Sequence, residues 1–219
     1  MKSTFRIAFL ALCFFYTANL TAQKEFEGVI KYKHTVTPKK DNYDVNFDYT
    51  ALGKKSEYYY KKGNYKFVNH DAFFAGDLYL TAQTANYLLL NNSDTVYRVD
   101  GTVTDMDIME VEVKEAEEKI LGHSCMIVTL KIIPTGQDGP VSYRRYYCST
   151  DFPINPEYFA KCKGNAYDVI YEKSRSLPLK IEFEWPDRLI TWEAYQAGPQ
   201  KVSGKQFELK KKAVIVPIK

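Results

Sequence analysis

The residues of this chain that could do chemistry are few and scattered. His34, His70 and His123 stand far apart in sequence. His70 is followed by Asp71 and His123 preceded by Gly122, which suits turns better than general bases. Four cysteines occur without a Cys-x-x-Cys spacing, so no zinc or dithiol centre of the usual pattern is encoded. There is no Gly-x-Ser-x-Gly elbow, no glycine-rich phosphate cradle and no His-Glu-x-x-His pair. Acids are plentiful but alternate with apolar residues, as in Glu182-Phe183-Glu184, which assigns them to a solvated strand face. The pattern points to a protein that is not an enzyme and that needs neither cofactor nor metal.

Cys13 belongs to an opening stretch with its own meaning. Lys2 and Arg6 precede an apolar run from Ile7 to Tyr16, and small and polar residues follow from Thr17 to Gln23. That is the layout of a secretory signal peptide. The run is shorter than the roughly 20 residues a spanning helix needs, which disfavours the alternative of an uncleaved anchor. Leu12, where a lipidation signal would place a small residue, argues against a lipid on Cys13. Residues 1–23 are therefore read as a leader and 24–219 as one exported domain. The expected location is the periplasm, the outer membrane or the extracellular space.

Cys125, Cys148 and Cys162 remain beyond the leader, and an odd count in an oxidising compartment permits one bridge. Cys148 with Cys162 is the preferred pair, closing a loop worth about 2 to 3 kcal/mol. Cys125 with Cys148 stays open as the alternative.

The 219 residues carry a formal charge of +3, and two of those charges lie in the leader. A balance so near zero offers no footprint for nucleic acid. The runs Lys61-Lys62 and Lys210-Lys211-Lys212 are too small for stable membrane attachment by themselves and suit solvated ends or edge guards.

The elements that must position any site are strands. Phe26, Ile30 and Tyr32 share one face of Glu25 to His34, opposite Glu25, Glu27, Lys31 and Lys33. Val45, Phe47 and Tyr49 alternate in the same way. Further runs lie at 56–61, 65–70, 77–82, 87–91, 95–99, 110–114, 125–133, 141–148, 166–173, 177–184 and 189–195. Turn residues such as Lys62-Gly63-Asn64 and Asn91-Asn92-Ser93-Asp94 separate them, favouring antiparallel hairpins. Helical signal is confined to Asn155 to Lys161, with Asn155 as cap and Pro156 at the first position. Acid-rich Met106 to Glu118 reads mostly as strand.

Tyr58-Tyr59-Tyr60 must put rings on both faces of a strand, and Tyr87 to Leu90 and Tyr143 to Tyr147 are also two-sided. A sheet apolar on both faces needs cover on both, from the protein's own helix and loops or from a ligand.

Phe26-Glu27-Gly28-Val29-Ile30-Lys31-Tyr32, Lys119-Ile120-Leu121-Gly122-His123-Ser124-Cys125 and Thr150-Asp151-Phe152-Pro153-Ile154-Asn155-Pro156 occur in an informative order. They precede Leu177-Pro178-Leu179-Lys180-Ile181-Glu182 and a terminal Phe207-Glu208-Leu209 strand. In that order the chain resembles uncharacterised exported proteins of Gram-negative bacteria related to the lipoprotein carriers LolA and LolB. The resemblance implies an all-β to α+β fold, a curved antiparallel sheet of about eleven strands. That sheet forms a half-open barrel over a few short helices. In the carriers the apolar interior receives acyl chains, but their helical lids have little counterpart here and no functional residue carries over. The expected function is binding of a lipid or lipoprotein acyl chain on the concave face, with Phe26, Tyr32, Phe47, Tyr58, Tyr60 and Leu89 as candidate liners. The alternative is a structural or interaction module with an envelope protein as partner.

Overall fold

Alternation of apolar and polar residues produces one sheet of twelve strands. The computed structural model describes residues 24–136 and 139–218, so the leader expected at 1–23 lies outside the described residues. The first half is β1 (Gly28–Pro38), helix α1 (Val45–Leu52), β2 (Lys55–Lys61), β3 (Asn64–His70), β4 (Phe74–Leu80), β5 (Ala85–Leu90) and β6 (Thr95–Asp100). The second half is β7 (Met106–Glu115), β8 (Met126–Pro134), β9 (Ser142–Pro153), helix α2 (Tyr167–Ser174), β10 (Ser176–Glu184), β11 (Arg188–Pro199) and β12 (Val214–Ile218).

The strand order β12-β6-β5-β4-β3-β2-β1-β11-β10-β9-β8-β7 describes two antiparallel meanders joined where β11 pairs with β1. The hairpins form where the turn residues demand them. Lys62 and Gly63 both have positive φ, as a two-residue turn between β2 and β3 requires. A side chain at Gly63 is also excluded by space, since a Cβ there would lie 2.4 Å from Cβ of Tyr158. Bulges at Lys31/Tyr32, Phe74/Gly76 and Ser176/Pro178 bend the sheet. It curves far enough for side chains of β3 to β6 and of β9 to β11 to wall one common cavity.

Three expected strands are corrected. Val45 to Tyr49 is helical because Asp44 caps it, its carboxylate accepting from the Asn46 backbone N–H at 2.9 Å. Residues 166–173 form α2, whose Tyr167, Ile170, Tyr171 and Ser174 fall at i, i+3, i+4 and i+7, a helical stripe that period two had concealed. Phe207 ends a 3₁₀ turn, and the terminal strand is β12, paired parallel to β6 in an otherwise antiparallel sheet.

Part of the concave face is filled by the protein itself. Pro156–Phe159 forms a 3₁₀ turn with Asn155 as its cap, as expected, and drives Phe159 into the sheet. Phe159 is 0% exposed and lies among Tyr60, Tyr65, Tyr79, Tyr167 and Tyr171, with centroids 4.4 to 6.5 Å away. The outer face of β4 to β6 carries Leu78, Ala85, Tyr87 and Val96, covered by Val202 and Phe207 from the segment between β11 and β12. The outer face of β9 and β10 is wet, held by Arg145, Lys180, Glu182 and Glu184 in ion pairs.

Phe159→Ala removes the plug's ring from a packed site and is expected to lower unfolding free energy by about 3 to 5 kcal/mol. Phe47→Ala, on the exposed side of α1, should stay within about 0.5 kcal/mol. Denaturant titrations of both variants check the contrast, and equal effects would mean that Phe159 is no plug.

Candidate functional site

Beyond the reach of α2 the curved sheet leaves a cavity of about 350 Å³. Phe67 (β3), Leu88 (β5), Tyr146 (β9), Ile181 and Phe183 (β10) and Trp192 (β11) form its apolar wall, and Tyr167 of α2 forms part of its boundary. The aromatic packing is specific. Trp192 meets Phe67 at 5.3 Å and Phe183 at 5.4 Å, both edge to face, and stacks on His34 at 4.6 Å. The volume is about twice that of a dry cavity of about 150 Å³ known to hold benzene, and it lies within the lower range of small-ligand sites.

The polar groups of the cavity cluster on Asp77, Asn86, Asp105 and Asn165. Asn86 is buried, and its Oδ1 accepts from the Tyr65 hydroxyl at 2.9 Å. Asp77 keeps some surface toward the cavity, yet its depth in the fold desolvates the carboxyl and raises it to about 6. The indole N–H of Trp192 is buried without an acceptor. A larger hollow of about 650 Å³, more open to the surface, is bordered by Lys24, Glu25, Glu27, Lys62, Asp151 and Lys201 together with Phe26, Pro153 and Pro199.

Of the six candidate liners, Tyr32, Tyr58 and Tyr60 face the concave side, but as closed core rather than cavity wall. The Tyr32 hydroxyl donates to the Pro178 carbonyl at 2.6 Å and that of Tyr60 to Glu25 at 2.6 Å. Phe26 is buried at one end of the sheet against Phe152, 5.1 Å away. Phe47 is 70% exposed on α1 and is corrected, because the strand expected there is a helix. Leu89 is also corrected. It faces the outer side with Val96, while Leu88 faces the cavity, a one-residue difference that reverses the face. Phe67, Phe183 and Trp192 were missed, although each lies on an alternating strand where the sequence carries the signal.

The reactive residue types have structural partners. The Gly53 carbonyl can only accept, so His34 carries its proton on Nδ1, 3.0 Å away, and Nε2 accepts from Ser56 at 2.9 Å. Burial lowers His34 to about 4. His123 meets Asp151 at 2.6 Å near the surface, and Cys125 donates weakly to the His123 carbonyl. Burial raises the Cys125 thiol, the wrong direction for a nucleophile. Cys125, Cys148 and Cys162 are all free, which corrects the expected bridge. Cys148 sits in the sheet between Met126 and Pro178, while Cys162 follows the plug and points toward the Gly164 carbonyl.

Two outcomes follow. Alkylation of the folded protein followed by peptide mapping should leave Cys125, Cys148 and Cys162 slow, since burial holds the last two near 12. In denaturant all three should react, and a disulfide-linked peptide would refute the free-thiol state. His34 favours the folded state while neutral, so its contribution is whole above its unfolded value of about 6.5 and is lost as pH falls toward 4, by up to about 3 kcal/mol. Asp77, raised in the fold, acts with the opposite sign. The His34 part is therefore read as the stability gap between wild type and His34→Gln, which should narrow from pH 7 to pH 4.

No protein-family model matches the chain, and no curated protein does. Among solved structures the chain is similar to the lipoprotein LppX of Mycobacterium tuberculosis, at 13% identity over 89% of this chain and 98% of that one, with a TM-score of 0.33. Among the described residues no helix is long and apolar enough to cross a membrane.

Proposed function

We propose that this is an exported binding protein, without catalytic activity, that holds an apolar chain such as a lipid acyl chain in the concave side of its sheet. The observation that carries this reading is the cavity of about 350 Å³ between Phe67, Leu88, Phe183 and Trp192. Each methylene moved there from water contributes about 0.8 kcal/mol. The plug of Phe159 and α2 limits the space, so the occupant is one short chain or the end of a longer one. A lipid or a lipidated protein can present such a chain, and the leader expected at 1–23 would deliver the protein to a compartment that contains both.

A second reading rests on β7. This strand lies at one end of the sheet with Met109, Val111 and Val113 exposed and one backbone edge unpaired. A protein partner could add a strand there, although Glu110, Glu112 and Glu115 discourage indiscriminate pairing. That function leaves the cavity empty.

Native mass spectrometry after exposure to envelope lipids separates the two. The expected result is an apolar adduct on wild type, lost in Leu88→Trp, which fills the cavity while keeping the wild-type unfolding midpoint. A protein that never carries or takes up an apolar species would overturn the binding reading.

A further inference from the structure

The cavity has an apolar wall and a polar side of definite character. Asp77 on β4 is directly opposite Leu88 on β5, so a carboxylate and an aliphatic wall residue enter the same space from one cross-strand pair. Facing Asp77 are Tyr65 of β3, Tyr167 of α2 and the Cys162 thiol, none of which is a cation. Tyr65 has one hydroxyl proton, for which Asn86 Oδ1 at 2.9 Å and the Asp77 carboxylate compete. Asp105 stands at the mouth, where its Oδ1 accepts from the Asn165 backbone N–H at 3.3 Å. Among the described residues, no lysine, arginine or histidine is ion-paired with Asp77 or Asp105.

The nearby cation is Arg144, which is engaged by the wall. Its Nη1 donates to Asn165 Oδ1 at 2.9 Å and its guanidinium lies over the Phe183 ring at 5.7 Å. The cavity thus presents a buried carboxylate, Asp77, that has no cationic partner and only the shared Tyr65 hydroxyl as a donor. A buried acceptor left without a donor is costly, and a second negative charge beside it is costlier.

Resting on the binding function above, we propose that the cavity selects an amphiphile whose polar end donates hydrogen bonds, an amine or an alcohol, over one that ends in a carboxylate. An ammonium pairs with Asp77 directly. A hydroxyl donates to Asp77 as a neutral group and brings no second negative charge. A fatty-acid anion brings acceptors alone to a site that already holds two carboxylates. Asp77 is the selecting residue and Phe67, Phe183 and Trp192 hold the chain.

The test is calorimetric titration of the purified protein at pH 8 with octylamine, octanol and octanoate, which share one chain length and differ in polar end. The expected order places octylamine and octanol at least about tenfold tighter than octanoate. In Asp77→Asn the octylamine advantage over octanoate should fall about tenfold, while octanol changes little because the amide still accepts. Octanoate binding as tightly as octylamine to wild type would overturn the selectivity and leave the apolar-chain function standing. Binding of none of the three would overturn that function and the selectivity with it. The wild-type order needs no variant to fold, so the outcome does not depend on the substitution.

Discussion

Phe159 among its tyrosines is the contact on which the concave side depends. A twisted sheet with aromatic residues on its inner surface cannot leave them wet, and α2, with eight residues, is only about 12 Å long. The 3₁₀ turn before it supplies the missing bulk with a single ring. Around that ring, tyrosine rather than phenylalanine is useful because each hydroxyl can reach a polar partner beyond the apolar contact. Tyr60 reaches Glu25, Tyr65 reaches Asn86 and Tyr79 reaches the Tyr158 carbonyl. Those bonds fix the rings in place, and the sheet bends around them.

The same constraint explains where empty space remains. The plug covers the inner surface near β2, β3 and β4, and Tyr167 and Tyr171 extend that cover along α2. Farther out, the sheet is still curved but α2 does not follow it, so the contiguous rings of Phe67, Trp192 and Phe183 line open space together with Leu88. On the outer surface the answer is different. There the segment after β11 folds back over Leu78, Tyr87 and Val96 and then contributes β12 to the sheet edge. Self-cover and a free apolar cavity, posed by the sequence as alternatives, are both present in separate zones of one face.

Strand positions were legible because alternation reports burial directly, and the hairpin at Lys62-Gly63 was legible because positive φ selects its residues. The two helices were hidden for a physical reason. Val45-Phe47-Tyr49 alternates as a strand does, and only the Asp44 carboxylate turning onto the Asn46 N–H decides for a helix. Tyr167, Ile170 and Tyr171 fit both periods when read in a short window, and tertiary burial against Phe159 settles the matter. Leu88 and Leu89 are indistinguishable by type, so the register set by β4 assigns one to the cavity and the other to the outer face. Cys148 and Cys162 looked pairable because sequence spacing ignores which way a sheet residue points.

Satisfied and unsatisfied polar groups then divide structure from site. His34 is buried in the sheet, at 3% exposure, yet both ring nitrogens are bonded and its ring is stacked on Trp192, so nothing about it calls for a ligand. The cavity beside the same indole contains Asp77 without an ion pair. A fold selected for stability alone tends to pair or replace such groups, because each unmade bond in a low-dielectric space costs about 1 to 3 kcal/mol. A buried carboxylate without a cation beside an apolar wall is the local departure from self-sufficiency on which the proposed binding role rests.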